Sequence, residues 1–117
     1  MVRYLDLESG IWCTSIGHSN PRITKLLSEQ CSKMIHSGYC YQNPVVNSTA
    51  KKILEITGIE SGKCVFLSSG SESVEYSVKL VKSFSEKPYF LTMSNCYLSA
   101  YGISGERSDK DWVHFEE

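Results

Sequence analysis

The chain has 117 residues, 41% of them hydrophobic and 21% charged, with a formal net charge of -1. That length suits one modest domain or a piece of a larger protein, and the composition is ordinary for a globular chain. The near-neutral balance and the scattered lysines argue against nucleic acid or an anionic membrane surface as a partner.

Residues 4–17 mix short apolar pieces with Gly10 and Gly17, which predicts an extended segment with loops. Asn20-Pro21 predicts a helix start, Asn20 as cap and Pro21 at the first helical position. Ile23, Leu26, Leu27, Cys31, Met34 and Ile35 then share one face, and Gly38 ends the pattern. After the aromatic connection of residues 39–43, Asn43-Pro44 repeats the start signal. Val46, Thr49, Ala50, Ile53, Leu54 and Thr57 form the second stripe, closed by Gly58.

Cys64 to Leu67 is an apolar run of strand length. Residues 70–85 predict a third helix, with Val74, Ser77, Val78, Val81 and Phe84 facing inward. Glu75 and Lys79 are spaced for an outward i,i+4 pair. Pro88 heads a second strand, Tyr89 to Met93. A Gly- and Ser-containing stretch runs on to about residue 108, and Trp112 to Phe115 offers a third strand. Strand–helix–strand order predicts an α/β chain with a parallel sheet and a right-handed crossover.

Five cysteines (Cys13, Cys31, Cys40, Cys64 and Cys96) give an odd count without a C-x-x-C pair. Reduced thiols are expected rather than a disulfide framework or a zinc site. The N-terminal residues contain no apolar core of a signal peptide, and no apolar run nears the roughly 20 residues a membrane helix needs. A soluble, cytoplasmic protein is expected.

The turn Ser68-Ser69-Gly70-Ser71, between the apolar run and the third helix, has two readings. Ser69-Gly70-Ser71-Glu72 is a capping box: Ser69 accepts from the N–H of Glu72, and Glu72 reaches back to the N–H of Ser69. The same turn suits an anion, because the free N–H groups and positive dipole end of a helix face outward there. Gly70 leaves room for a phosphate, and Ser69 and Ser71 add hydroxyl donors. The P-loop, G-x-G-x-x-G and G-x-S-x-G patterns are absent, so one phosphate fits better than a dinucleotide. If the strands are parallel, Tyr97 stands at the same edge as Ser69 to Ser71, where an aromatic can stack on a flat ring.

Together these features resemble the class III pyridoxal-phosphate-dependent aminotransferases. "YLDLESGIWCTSIGHSNPRI" is similar to the family's opening, which runs from Tyr-Leu-Asp through Ser-Gly and Trp to Gly-His and Pro. "EQCSKMIH" is similar to its Glu-Gln helix, and "VFLSSGSESVEYSVKLVK" to its Ser-Gly-Ser/Thr-Glu segment. Two departures stand out. Leu98-Ser99 replace the His-Gly that usually follows the stacking aromatic, and Ser68 replaces an Asn before Ser-Gly.

The resemblance implies the start of an aspartate-aminotransferase-like fold (fold type I), a mostly parallel sheet with flanking helices. Residues 1-43 would be an N-terminal segment with the first helix, and 44-117 the beginning of the large cofactor-binding domain. It implies that Ser69, Gly70 and Ser71 hold the phosphate of pyridoxal 5'-phosphate and that Tyr97 stacks on its ring. Trp12 and Tyr41 would line the substrate pocket. Substrates would be an amine or amino acid and an oxo acid, and the parent enzyme a homodimer. No lysine here matches the family's Schiff-base lysine. The chain is therefore expected to be the N-terminal portion of a longer enzyme, inactive alone. The alternative is a non-enzymatic binding or assembly module that takes a phosphorylated small molecule or a partner chain.

Overall fold

A computed structural model of the chain describes residues 2–87 and 89–116. Pro88, at the head of the second expected strand, lies outside the described residues. The chain divides into two compact units at Ile56/Thr57.

The N-terminal unit contains three helical segments. The first, α1, is a turn at Ser9–Trp12 whose backbone is left-handed throughout, with φ of 55°, 63°, 56° and 63° in chain order. An extended segment was expected here. Left-handed backbone costs an L-residue about 1–2 kcal/mol, and side-chain acceptors oppose that cost. Asp6 Oδ1 accepts from the N–H groups of Glu8 and Ser9 at 2.9 and 2.8 Å, and Glu8 Oε1 accepts from Ile11 N–H at 2.9 Å. The Ser9 and Glu8 N–H groups hold the Asp6 carboxyl below its ordinary range.

Helix α2 (Pro21–Lys33) starts as expected, with Asn20 Oδ1 accepting from Arg22 N–H at 3.1 Å and Pro21 in the first turn. It ends sooner than its apolar stripe. Met34 is extended and 46% exposed, and Ile35 is 85% exposed. Helix α3 (Pro44–Thr57) begins with Asn43 Oδ1 accepting from Val45 N–H at 3.0 Å and stops before Gly58, whose φ is +69°. Neither α2 nor α3 packs on another element among the described residues, and neither contains a buried residue.

The C-terminal unit contains α4 (Gly70–Phe84), β1 (Phe90–Met93), α5 (Gly102–Glu106) and β2 (Trp112–Phe115). β1 and β2 pair in parallel with Phe90 opposite Trp112 and Met93 opposite Phe115. Their rings stack at 5.0 Å between the Phe90 and Trp112 centroids. Trp112 and Val78 are the buried hydrophobic side chains among the described residues.

Three expectations are corrected here. Cys64 to Leu67, expected as a strand, is irregular, and the sheet of the described residues consists of β1 and β2. The parallel unit is instead β1–α5–β2, whose crossover carries the unforeseen short helix. The inward stripe of α4 is also rotated from the expected one: Val78 is buried, but Phe84 is 87% exposed.

Ser71, Glu75, Val78 and Lys82 define the packed seam of α4, at the helical spacing i, i+4, i+7 and i+11. Ser71 Oγ accepts from Ala100 N–H at 2.9 Å. Glu75 accepts from Ile103 and Ser104 N–H. Lys82 Nζ reaches Asp111 at 3.2 Å and Asp109 at 3.4 Å, and stands 5.6 Å over the Phe90 ring. Asp111 first, then Asp109, raises the Lys82 pKa. The seam thus meets the returning chain from Ala100 to Asp111 in parallel order.

Candidate functional site

The Ser69-Gly70-Ser71 turn forms the N-terminus of α4, a helix of 15 residues. Ser69 is the cap: its backbone is extended, and its Oγ accepts from Glu72 N–H at 3.2 Å. Glu72 closes the box one residue earlier than expected, accepting from Ser68 N–H, not Ser69 N–H, at 2.7 Å. Sequence alone did not separate these neighbours, since both N–H groups lie within reach of a Glu at that position.

Gly70 and Ser71 occupy the first two helical positions, whose N–H groups have no intrahelical acceptor. A Cβ on Gly70 would meet nothing within 4 Å, so the approach to these donors is open. The Ser69 and Ser71 hydroxyls each accept one backbone bond and keep their own O–H to donate. Two N–H groups, two hydroxyls and a helix dipole end make a donor set suited to a phosphate. No cofactor chemistry beyond anion binding is needed to explain the fit.

Tyr97 lies beyond β1 and is 76% exposed. The sequence reading brought it to the turn through a strand at Cys64 to Leu67, and that route does not exist. Its segment reaches α4 by hydrogen bonds instead. Ala100, three residues on, donates to Ser71 Oγ. On the other side, Arg107 Nη1 donates to Met93 O and Cys96 Sγ, both at 3.2 Å. Tyr97 therefore stands on a short span clamped at Cys96 and Ala100. Three residues limit its separation from Ala100 to about 11 Å.

Trp12 and Tyr41 belong to the N-terminal unit. Trp12 ends the left-handed turn and is 84% exposed. Tyr41, also exposed, lines a cleft of about 340 Å³ with Tyr39, Gln42 and Asn43.

Sequence reasoning missed the strongest polar feature of the C-terminal unit, which is the role of Glu75. It was read as an outward partner of Lys79. Its Oε1 accepts from Ser104 N–H at 2.7 Å and its Oε2 from Ile103 N–H at 3.3 Å, capping α5 from outside. The Ser104 side chain, then the Ser104 and Ile103 N–H groups, hold the Glu75 carboxyl below its ordinary range. The Ser104 hydroxyl acts here by proximity, since it lacks a well-aligned hydrogen bond. The signal available in sequence was the i,i+4 spacing of Ser71 and Glu75 on the face that carries Val78.

A helix that follows a Ser-Gly-Ser turn and packs on α5, in the crossover of a parallel strand pair, defines an α/β unit. The family is set by comparison with known proteins. Residues 2–101 match the model of the class-III aminotransferases. Acetylornithine aminotransferase of Aquifex aeolicus is 41% identical over 81 residues, covering 69% of this chain and 21% of that protein. Mitochondrial gamma-aminobutyrate transaminase 1 of Oryza sativa subsp. indica is 34% identical over 121 residues, covering 96% of this chain and 23% of its own. Acetylornithine aminotransferase 1 of Bordetella parapertussis is 33% identical over 85 residues, covering 73% and 21%. No solved structure matches the chain.

The chain belongs to the class III aminotransferase family. It spans between a fifth and a quarter of the length of these curated relatives.

Proposed function

We propose that this chain contributes the cofactor-phosphate cradle of a pyridoxal-phosphate-dependent aminotransferase. The whole protein would move an amino group between an amine or amino acid and an oxo acid. The names of its relatives favour an amino-acid or ω-amino-acid donor. The observation that carries the reading is the open pair of N–H donors at Gly70 and Ser71, flanked by the Ser69 and Ser71 hydroxyls.

When bound, pyridoxal phosphate supplies the electron sink for amino transfer. The residues of this chain bind and orient. Gly70 and Ser71 N–H groups and the two hydroxyls take the phosphate oxygens. Tyr97 offers a flat face to the ring. Glu72, held against Ser68 N–H, fixes the start of α4 without occupying the open donors.

The test uses 4'-deoxypyridoxine 5'-phosphate, which lacks the aldehyde and cannot couple to surface lysines. Equilibrium dialysis compares it with 4'-deoxypyridoxine for the unaltered chain and for Gly70→Asp. An Asp near a helix start is compatible with the helix and its dipole, so the variant keeps α4 while placing a negative charge at the anion site. The phosphate ester is expected to bind, the unphosphorylated ring to bind at least about tenfold more weakly, and Gly70→Asp to lose a similar factor. Equal binding of both ligands, or of both proteins, contradicts the cradle.

A further inference from the structure

We propose that Glu75 is a positioning residue for the cofactor ring: its carboxylate latches α5 onto α4 and thereby sets where Tyr97 stands beside the phosphate turn. The proposal rests on the phosphate-cradle reading above.

The geometry gives the latch its direction. The cap position of α5, Tyr101, makes no side-chain hydrogen bond to the helix. The donors at the start of α5 are met from outside, Ser104 N–H by Glu75 Oε1 at 2.7 Å and Ile103 N–H by Oε2 at 3.3 Å. The carboxylate also fills the space beside Gly102, where a Cβ would stand 2.5 Å from Oε2. Glu75 thus does for α5 what a cap residue of its own would do.

The latch reaches Tyr97 through two clamps. Arg107 ends α5, donating its N–H to Ile103 O at 2.9 Å, and its Nη1 grips Met93 O and Cys96 Sγ. Cys96 is the residue before Tyr97. On the far side, Ser71 holds Ala100. The Tyr97 ring is largely exposed and is not packed in place, so these ties determine its position. Where α5 sits fixes Arg107, and Glu75 fixes α5.

A carboxylate suits the task because both partners are donors. A glutamine in the same place accepts one bond and turns its NH₂ toward the other N–H. Among the described residues no Lys or Arg pairs with Glu75. Glu72, Tyr76, Lys79 and Lys82 of α4 and Tyr101 of the returning chain line the cavity of about 630 Å³ beside it.

The test compares inorganic phosphate with 4'-deoxypyridoxine 5'-phosphate, using the Gly70 and Ser71 amide shifts to read each affinity in the unaltered chain and in Glu75→Gln. The unaltered chain is expected to prefer the ring-bearing ligand by about tenfold. Glu75→Gln is expected to keep its phosphate affinity within about twofold and to lose that preference. A merely structural role would weaken both ligands together.

A second measurement needs no variant. In the ligand-free chain the Glu75 carboxyl, the Ile103 and Ser104 amides and the Tyr97 ring signals should titrate with one shared midpoint. The Glu75 pKa is lowered in the fold, so the latch is fully held above the ordinary Glu range and is released as pH falls through the folded midpoint. A Tyr97 signal that ignores the Glu75 titration overturns the proposal. So does a Glu75→Gln chain that keeps the ring preference, or an unaltered chain that has none; in both cases the phosphate reading survives. If neither ligand moves Gly70 or Ser71, the phosphate reading fails and the proposal falls with it.

Discussion

Amide hydrogens of α2 and α3 are expected to exchange within roughly tenfold of free-peptide rates, while those of Val78, Phe90 and Ser94 exchange at least about 100-fold more slowly. The reason is the distribution of burial. α2 and α3 are 13 and 14 residues long and bury no side chain. Helices of that length are marginal in water unless an apolar face is covered. In the α2 stripe, Leu26 and Leu27 are 53% and 61% exposed. In the C-terminal unit, Val78 is buried on the α4 seam, Phe90 N–H donates to Asp111 O at 2.7 Å, and Ser94 N–H donates to Phe115 O at 2.8 Å. Hydrogen–deuterium exchange on the intact chain separates the two units residue by residue. Equal protection in both would mean that α2 and α3 have found a packing surface.

The second large effect is at Gly102. Its φ is +74°, and a Cβ would lie 2.5 Å from Glu75 Oε2 and 2.6 Å from Cδ. Gly102→Ala therefore carries a left-handed-backbone cost of about 1–2 kcal/mol and displaces the carboxylate from Ile103 and Ser104. Losing those charge-assisted bonds adds about 1–2 kcal/mol after solvent screening. Together the change should speed exchange at the Ile103 and Ser104 amides by about 30-fold or more. Gly70→Ala is the control: its φ is not left-handed and its Cβ position is open, so the same amides should keep their rates. If Gly102→Ala leaves Ile103 and Ser104 unchanged, the contact between α4 and α5 is not held by Glu75.

Helix starts were legible in the sequence because capping is local. Asn20-Pro21, Asn43-Pro44 and Ser69 through Glu72 each carry their own acceptor, and the three helices begin where those residues stand. Trp112 to Phe115 was likewise readable as a strand, from its apolar and β-favouring residues between turn signals. What was not legible depends on residues far apart in sequence. Cys64 to Leu67 has the composition of a strand, but a strand also needs a partner, and its periodicity says nothing about one. α5 contains Gly102 and Gly105, which read as a loop; its first turn is completed by Glu75, 28 and 29 residues away from its two donors. The left-handed α1 includes Ile11, a β-branched residue that disfavours such backbone, so no propensity rule points to it. The family resemblance was readable from motifs, while the hydrogen bond that ties Ala100, three residues after Tyr97, to Ser71 was not.

A ¹H–¹⁵N shift titration of the chain with 4'-deoxypyridoxine 5'-phosphate shows whether the first two amides of α4 take an anion. Saturable shifts are expected, largest at Gly70 and Ser71, with the Tyr97 ring responding in step. Shifts that spread over the surface lysines and leave Gly70 and Ser71 unmoved would contradict the anion site.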